Sequence, residues 1–563
     1  MDKRTILAFI IIGVIIFITP HYMRWLTGEP PEAPEVRREP ADRRAQPSPL
    51  PPATAEAPTL TTAPEPPAPP EAVREEATKA TATPSLPPER TFVVETDLYR
   101  ATWSSRGARL VGYELKKYYD DFGMPLQLLV PAGSGLGLSL DGRDLSQVDF
   151  KLPPHQLPVY LEGPDQAEIT FTAETEAGTI EKRLRFQGNR YRIDMVLSGP
   201  ALTRSERYGV TWSGGLADTE NSPMDYAMYT NLVTRVGGEV ETWEAPDLAE
   251  ETPPSGWVSW IGVRNKYFVA SMIPPDGRYD LELEGRVEGE YGDEHYEAVI
   301  VGTPEKEPQA FGVYVGPVSY DLLRGQNRDL AGIERELQLD EFMDYGWAFF
   351  RPLMKPITIL ILRAFLSLHE IVPNYGLVII VFSLFIKIIV FPLTHKSLEA
   401  SAKMQELQPK MAALKERLKD DQQKLSQETM KLYKQEKVNP LGGCLPMLLQ
   451  MPILFALFNV FRGAIELRQS AFALWIDDLS KPDQIQIGGF ELHVLPLLMA
   501  VSTFFQSKMT MKDPKQAMMV YLMPVFLIWI FWSMSSGLVL YWTMFNVLTV
   551  LQQQVMEQVK KRF

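Results

Sequence analysis

The rhythm of hydrophobic and polar positions changes several times along this chain, and each change marks a boundary. From Thr91 to about Gln338 the period is two: Tyr191, Ile193, Met195 and Leu197 alternate with Arg192, Asp194, Val196 and Ser198, and Ile169 and Phe171 keep the same beat. Turn residues separate the runs (Arg106-Gly107, Gln187-Gly188-Asn189, Pro275-Asp276-Gly277), which predicts one large antiparallel β-sandwich over residues 91–338. Over residues 339–373 the spacing becomes helical. Tyr345, Trp347, Phe349, Phe350, Leu353, Ile357 and Ile361 mix with Arg351, Lys355, Arg363 and His369. That mix predicts an amphipathic helix in the headgroup plane, the alternative being a buried helix at the edge of the β-domain.

The remainder is dominated by long apolar runs. Tyr375–Leu393, within residues 374–394, is long enough to cross a bilayer core. Further candidates within residues 441–555 are Leu441–Phe461, His493–Ser507, Ala517–Trp532 and Gly537–Gln552. At the N-terminus, Lys3-Arg4 precedes the apolar run Thr5–Thr19, then Pro20, Tyr22 and Trp25. No small-residue cleavage pattern follows, so residues 1–28 are expected to stay as a signal anchor, giving six spans in all. Residues 29–90, rich in Pro, Ala, Glu and Thr, are expected to form a disordered tether.

Charge orients the spans. Between residues 395 and 440 lie Lys396, Lys403, Lys410, Lys415, Arg417, Lys419, Lys424, Lys431, Lys434 and Lys437, among apolar positions at helical spacing. Leu398, Met404, Leu407, Met411 and Leu414 form one apolar set, and Leu425, Met430 and Leu432 a second, which predicts a charged two-helix hairpin. Lys508, Lys512 and Lys515, and Lys560-Lys561-Arg562 in the tail 556–563, fall on the same side as this hairpin and Lys3-Arg4. The acidic β-domain falls on the other side with Asp477, Asp478, Asp483 and Glu491. Positive-inside logic makes both termini cytoplasmic and the β-domain periplasmic in a bacterium.

Composition narrows the chemistry. A net charge of -14 argues against DNA as a partner, and the single cysteine, Cys444, excludes an intrachain disulfide. The six histidines show no metal-ligand spacing, and no Walker loop, dinucleotide fingerprint, HExxH or GxSxG occurs. No enzyme activity, cofactor or metal is therefore expected. What stands out instead is Lys387, in the middle of an apolar span. A lysine near the bilayer centre costs roughly 2.5–3.5 kcal/mol on insertion scales, which favours retention for a purpose. Snorkelling to the nearby interface is one reading. Its place well over a helical turn inside the end of the span favours the other, a cation facing a wet cavity. Ser383 lies one turn away on the same face, and Gln450 in the next span is a further polar group that such a groove would satisfy.

Several segments resemble the Oxa/YidC membrane protein insertases in their Gram-negative form: Phe391–Thr394 (FPLT), Leu407–Asp421 (LQPKMAALKERLKDD), Asn439–Ile453 (NPLGGCLPMLLQMPI), Glu466–Ser480 (ELRQSAFALWIDDLS) and Gly537–Trp542 (GLVLYW). The resemblance implies a five-helix insertase core plus N-terminal anchor, with a periplasmic β-supersandwich of galactose-mutarotase-like type. It places the family's groove cation at Lys387, where many members carry arginine. It also implies a substrate-contact slide that includes Met451, Pro452, Leu454, Leu527 and Ile530, with Phe391 and Trp542 standing where other members often have tyrosines. The activity it implies is insertion and folding of membrane proteins into the inner membrane. The implied partners are nascent membrane-protein clients, the Sec translocon, the ribosome and the lipid bilayer. Two rivals stay open on residues alone. One is a transporter or channel, although the spans show no inverted repeat by eye; the other is a membrane-anchored carbohydrate-processing enzyme.

Overall fold

The computed structural model describes residues 88–562, apart from the stretches 131–132, 153–157, 250–252, 289–292, 305–307, 327–335, 347–348, 419–420, 437–444 and 511–516. The anchor expected over 1–28 lies outside the described residues, as does the tether 29–90 save for its last few positions.

Period-two alternation becomes a two-sheet β-domain. In the strand Arg192–Ser198, Ile193, Met195 and Leu197 are buried, while Asp194, Val196 and Ser198 keep partial exposure. Arg192 departs from the pattern: it too is buried, its guanidinium 2.9 Å from Asp194. One sheet runs in spatial order Val159–Tyr160, Thr91–Glu95, Tyr99–Ser104, Leu110–Tyr119, Ser134–Leu140, Tyr208–Ser213, Asp293–Gly302 and Arg278–Glu288. The other runs Gln166–Thr175, Gly178–Gln187, Arg192–Ser198, Gln309–Pro317, Phe268–Ile273, Gly256–Arg264, Asn231–Val236 and Glu239–Trp243. Every one of these pairings is antiparallel except Val159–Tyr160 on Thr91–Glu95, which is parallel. Trp103, Trp212 and Trp260 fill the core, and the Tyr113 hydroxyl crosses it to donate to the Val315 carbonyl at 2.9 Å.

A charged side chain also crosses that core. Lys182 is fully buried, and its Nζ donates to the carbonyls of Ala108, at 2.7 Å, and Leu136 on the facing sheet. Burial among apolar groups holds its pKa down to about 7, and no carboxylate among the described residues is paired with it.

Among the described residues seven longer helices follow: α1 (Arg351–Ile371), α2 (Tyr375–Arg417), α3 (Gln422–Gln435), α4 (Leu445–Gly463), α5 (Val494–Thr510), α6 (Ala517–Phe531) and α7 (Ser536–Arg562). By length and composition α1 is long and apolar enough to cross a membrane. α2 is longer than the apolar run Tyr375–Leu393: the helix continues through Pro392 and Pro409, so that run and the first arm of the hairpin are one rod of 43 residues. Asp421 then caps α3, accepting from the Lys424 amide at 2.9 Å, and Lys410 meets Glu436 across the hairpin at 2.5 Å. α7 likewise runs past Gln552 to Arg562, because the glutamine-rich continuation keeps good helix formers throughout.

The β-domain and the helices share a buried junction built on the segment after α4. Ile465 enters the β-domain core, and the Arg468 guanidinium meets Glu220 at 2.7 Å and the Thr219 carbonyl at 3.2 Å. Both side chains of that ion pair are almost wholly shielded from water, at 2% and 4% exposure. Burial pushes the Glu220 carboxyl up, against the pull of Arg468. Lys481 reaches Asp121 at 2.7 Å, and Ser319 donates to Glu466 at 3.0 Å. At the start of α1, Lys355 pairs with Asp340 at 3.0 Å and with Glu341.

Two outcomes are expected. Unfolded Lys182 would hold its proton across pH 7–10 while the native amine has released it, so native stability rises with pH in that window, by up to about 1.4 kcal/mol per unit. Lys182→Met removes that slope, read as the difference between variant and wild-type unfolding midpoints at pH 7 and 9. Arg468→Ala strands the buried Glu220 carboxylate at a cost of about 3–5 kcal/mol, which limited proteolysis reads as faster release of the β-domain. Glu220→Gln with Arg468→Met restores much of the protection.

Candidate functional site

Polar residues in apolar helices must find partners among themselves, and here they form a seam between α2, α5 and α7. Lys387 on α2 is buried, with 7% exposure. Its Nζ donates to the Thr549 hydroxyl on α7 at 2.7 Å and lies 4.2 Å from the centre of the Phe545 ring. No described carboxylate pairs with it, so its charge is met only by a neutral oxygen and a ring face. The Thr549 hydroxyl in turn donates to the Phe545 carbonyl at 2.7 Å, which fixes its lone pairs toward the ammonium.

One turn toward the start of α7, the Asn546 amide donates to Thr503 at 2.8 Å and Ser502 at 3.3 Å, both on α5. One turn the other way, both amide atoms of Gln552 are buried without a partner among the described residues. Polar groups thus line α7 from Asn546 through Thr549 to Gln552, with Lys387 at the middle.

The other expected site residues fall into three groups. Ser383 shares the Lys387 face of α2 and is fully buried, but its hydroxyl donates to the Ile379 carbonyl at 2.7 Å and is satisfied within its own helix. The side chain of Gln450 lies outside the described ones. On α4, Met451 is exposed while Pro452 and Leu454 are half-buried. On α6, Leu527 is buried and Ile530 packs against the same core, whereas Leu522, Phe526 and Trp529 hold the exposed face. Phe391 is exposed near the middle of α2, and the half-buried Trp542 ring lies 5.4 Å from Phe531. Among the described residues no cluster of metal-ligating side chains occurs.

Sequence reasoning did not single out Thr549, Asn546, Ser502, Thr503 or Gln552 as site residues. A signal was available: Thr543, Asn546, Thr549 and Gln552 recur every three residues, one polar stripe along a span.

The ends of the helices toward the β-domain are held by close packing and capping. The Asn374 side chain accepts from the Leu377 amide at 3.0 Å and donates to the Phe472 carbonyl at 3.1 Å. Phe472 lies flat on Gly376, where a Cβ would sit 2.0 Å from the ring, so only glycine fits. Asp483 accepts from the amides of Val494 and Leu495 at the start of α5, each at 2.8 Å, and from the Trp475 indole at 3.0 Å. What charge counting reads as an acidic loop is here a helix cap.

Two family models match the chain: one described as 60Kd inner membrane protein over residues 367–562, the other as YidC periplasmic domain over residues 91–360. The membrane protein insertase YidC of Chlorobaculum parvum is 33% identical over 586 residues, covering 98% of this chain and 94% of that protein. Its counterpart from Chlorobium luteolum is 36% identical over 492 residues, covering 83% of this chain and 82% of that protein. Among solved structures, an active YidC insertase crystal structure with the first transmembrane domain resolved matches 83% of this chain and 92% of its own, at 17% identity and a TM-score of 0.36.

Thr549→Val should leave the Lys387 ammonium buried without its oxygen acceptor. The expected cost is about 1–3 kcal/mol, seen as a lower unfolding midpoint of the purified protein, with Thr549→Ser close to wild type.

Proposed function

Because the chain belongs to the YidC family of membrane protein insertases, we propose that it moves client segments into the bilayer through the polar seam around Lys387. The protein is an inner-membrane insertase and chaperone of integral membrane proteins, carries a large periplasmic β-domain, and acts without catalytic chemistry. The observation that carries the seam reading is a buried lysine met only by neutral groups among the described residues.

In this reading α2, α4, α5, α6 and α7 are five spans, and the anchor over 1–28 makes a sixth, with both termini cytoplasmic. α1 lies along the periplasmic interface despite its length. Its start is tied to Asp340 and Glu341 beside the β-domain, and three residues link its end to α2, whose cap bonds the Phe472 carbonyl near Arg468. A helix with both ends on one side cannot cross. The β-domain, with its two sheets, is a supersandwich of the mutarotase-like type.

A polar or acidic client segment enters from the cytoplasm and takes the place of Thr549 beside Lys387. Low local dielectric strengthens that attraction relative to water. Ser383 and Gln450 belong to the polar lining. Met451, Pro452, Leu454, Leu527, Ile530, Phe391 and Trp542 provide the apolar path by which the client helix leaves for lipid. Burial of its apolar surface supplies the driving force, about 25 cal/mol per Å². Membrane potential adds about 2.3 kcal/mol per charge per 100 mV. The hairpin of α2 and α3 receives the client, and the Sec translocon and ribosome act as partners.

Lys387→Ala should lower insertion of a single-span client by about tenfold or more, a loss of roughly 1.4 kcal/mol or above, while Lys387→Arg stays near wild type. Photo-crosslinking from Met451 to a stalled nascent chain gives the independent reading. Unchanged insertion by a normally accumulated Lys387→Ala protein would overturn the role given to the cation.

A further inference from the structure

A second cationic site lies far from Lys387, where the β-domain, α1 and α4 meet. We propose that this cleft holds the phosphodiester of a phospholipid of the periplasmic leaflet.

Arg462 is the first observation. It stands at the end of α4 that touches the β-domain, hence on the periplasmic side, where basic residues next to membrane helices are disfavoured. Its half-buried guanidinium lies 4.4 Å from the Tyr229 ring and 5.3 Å from the Phe458 ring, with the Met228 sulfur as its hydrogen-bond partner. No described oxygen accepts from it. The helix C-terminus and the two rings favour a cation there, but apart from the Met228 sulfur they give the planar fork of N–H donors no acceptor, and that fork matches a phosphate.

The lining of the same cleft supplies the rest. Arg264 donates to the Asn231 side chain at 2.8 Å and to the Phe342 carbonyl at 2.5 Å, and has further donors. Lys266 pairs with Asp225 at 2.9 Å, which uses one of its three N–H groups. Thr358 on α1 also lines the cleft. Only 2% exposed, its hydroxyl has no partner among the described residues. The carboxylates here are Asp344 in the lining, Asp225 behind Lys266, and Glu220, which Arg468 already matches, against Arg264, Lys266 and Arg462, with Arg351 close enough to repel Arg264. The balance is positive, and a singly charged anion suits it.

Size and setting choose among anions. The space inside the cleft is about 40 Å³, where one water needs about 10–15 Å³, which is room for a group with three or four oxygens. On the reading proposed above α1 lies at the periplasmic interface, and its exposed Leu353 and Leu360 stand on the side away from Thr358 and Leu362, which puts the cleft at headgroup depth. A lipid headgroup meets both conditions together.

The test is native mass spectrometry of the full-length protein in detergent, titrated with dioleoylphosphatidylglycerol, dioleoylglycerol or inorganic phosphate. The wild type should retain phosphatidylglycerol and not the phosphate-free diacylglycerol. Arg462→Gln should reduce retention about fivefold, Arg462→Lys, which keeps the charge and loses the fork, should fall between that and the wild type, and Thr358→Val, which leaves every charge in place, should weaken it measurably. Equal retention by wild type, Arg462→Gln and Thr358→Val would overturn the proposal. So would displacement of the lipid by millimolar inorganic phosphate, since the site would then serve a free anion. Client insertion by Arg462→Gln, read in parallel, separates this outcome from failure of the Lys387 reading.

Discussion

The helical half of this molecule is organised by a rule of hydrocarbon surroundings: a polar group that leaves water must be met by another polar group. Lys387 meets Thr549, and Asn546 meets Ser502 and Thr503. Each pair fixes the rotation of two helices about their axes, so α2, α5 and α7 have little freedom in how they face one another. Once those faces are set, the apolar residues left over point outward: Leu384, Phe385 and Ile388 on α2, Val501 and Phe505 on α5, Phe526 and Trp529 on α6. The exposed apolar surface is the remainder after the seam has been satisfied. An insertase needs this combination, a polar interior that stays polar and a surface that lets apolar segments go.

The same rule operates at the junction with the β-domain. A carboxylate and a guanidinium from residues 248 positions apart are both removed from water and matched to each other, with Thr219 taking a further donor. Such a pair adds little net stability compared with apolar packing, but it tolerates very few arrangements. Its consequence is orientation: the β-domain is seated on the segment after α4 instead of hanging from the chain. Lys355 with Asp340 and Glu341 sets the start of α1 against the same domain.

Much of this was legible before any coordinates. Alternation in Arg192–Ser198 named the buried side of a strand correctly at Ile193, Met195 and Leu197, because successive side chains of an extended chain must point to opposite faces. The helical spacing of Leu407, Met411 and Leu414 located the hairpin, and Asp421 sits at its corner as a cap. Lys387 was conspicuous as a charge in an apolar run. Helix ends are less legible: α2 runs on without a break past the boundary expected at residue 394, and α7 outruns its apolar stretch. Asp483 counted as loop charge while its actual work is to hold the first amides of α5.

By itself the sequence determined the identity of the elements, their order, and which face of each turns away from water, since all three follow from covalent geometry and local periodicity. Only the tertiary structure decided which polar groups meet: that Lys387 finds Thr549 and not Ser383, that Arg468 finds Glu220, that Phe472 lies on Gly376, that Leu527 turns inward while Phe526 faces out. Those choices depend on how far each helix is rotated and how deep each loop sits. Such quantities are set by the packing of the whole chain and leave no mark on the residues next to them.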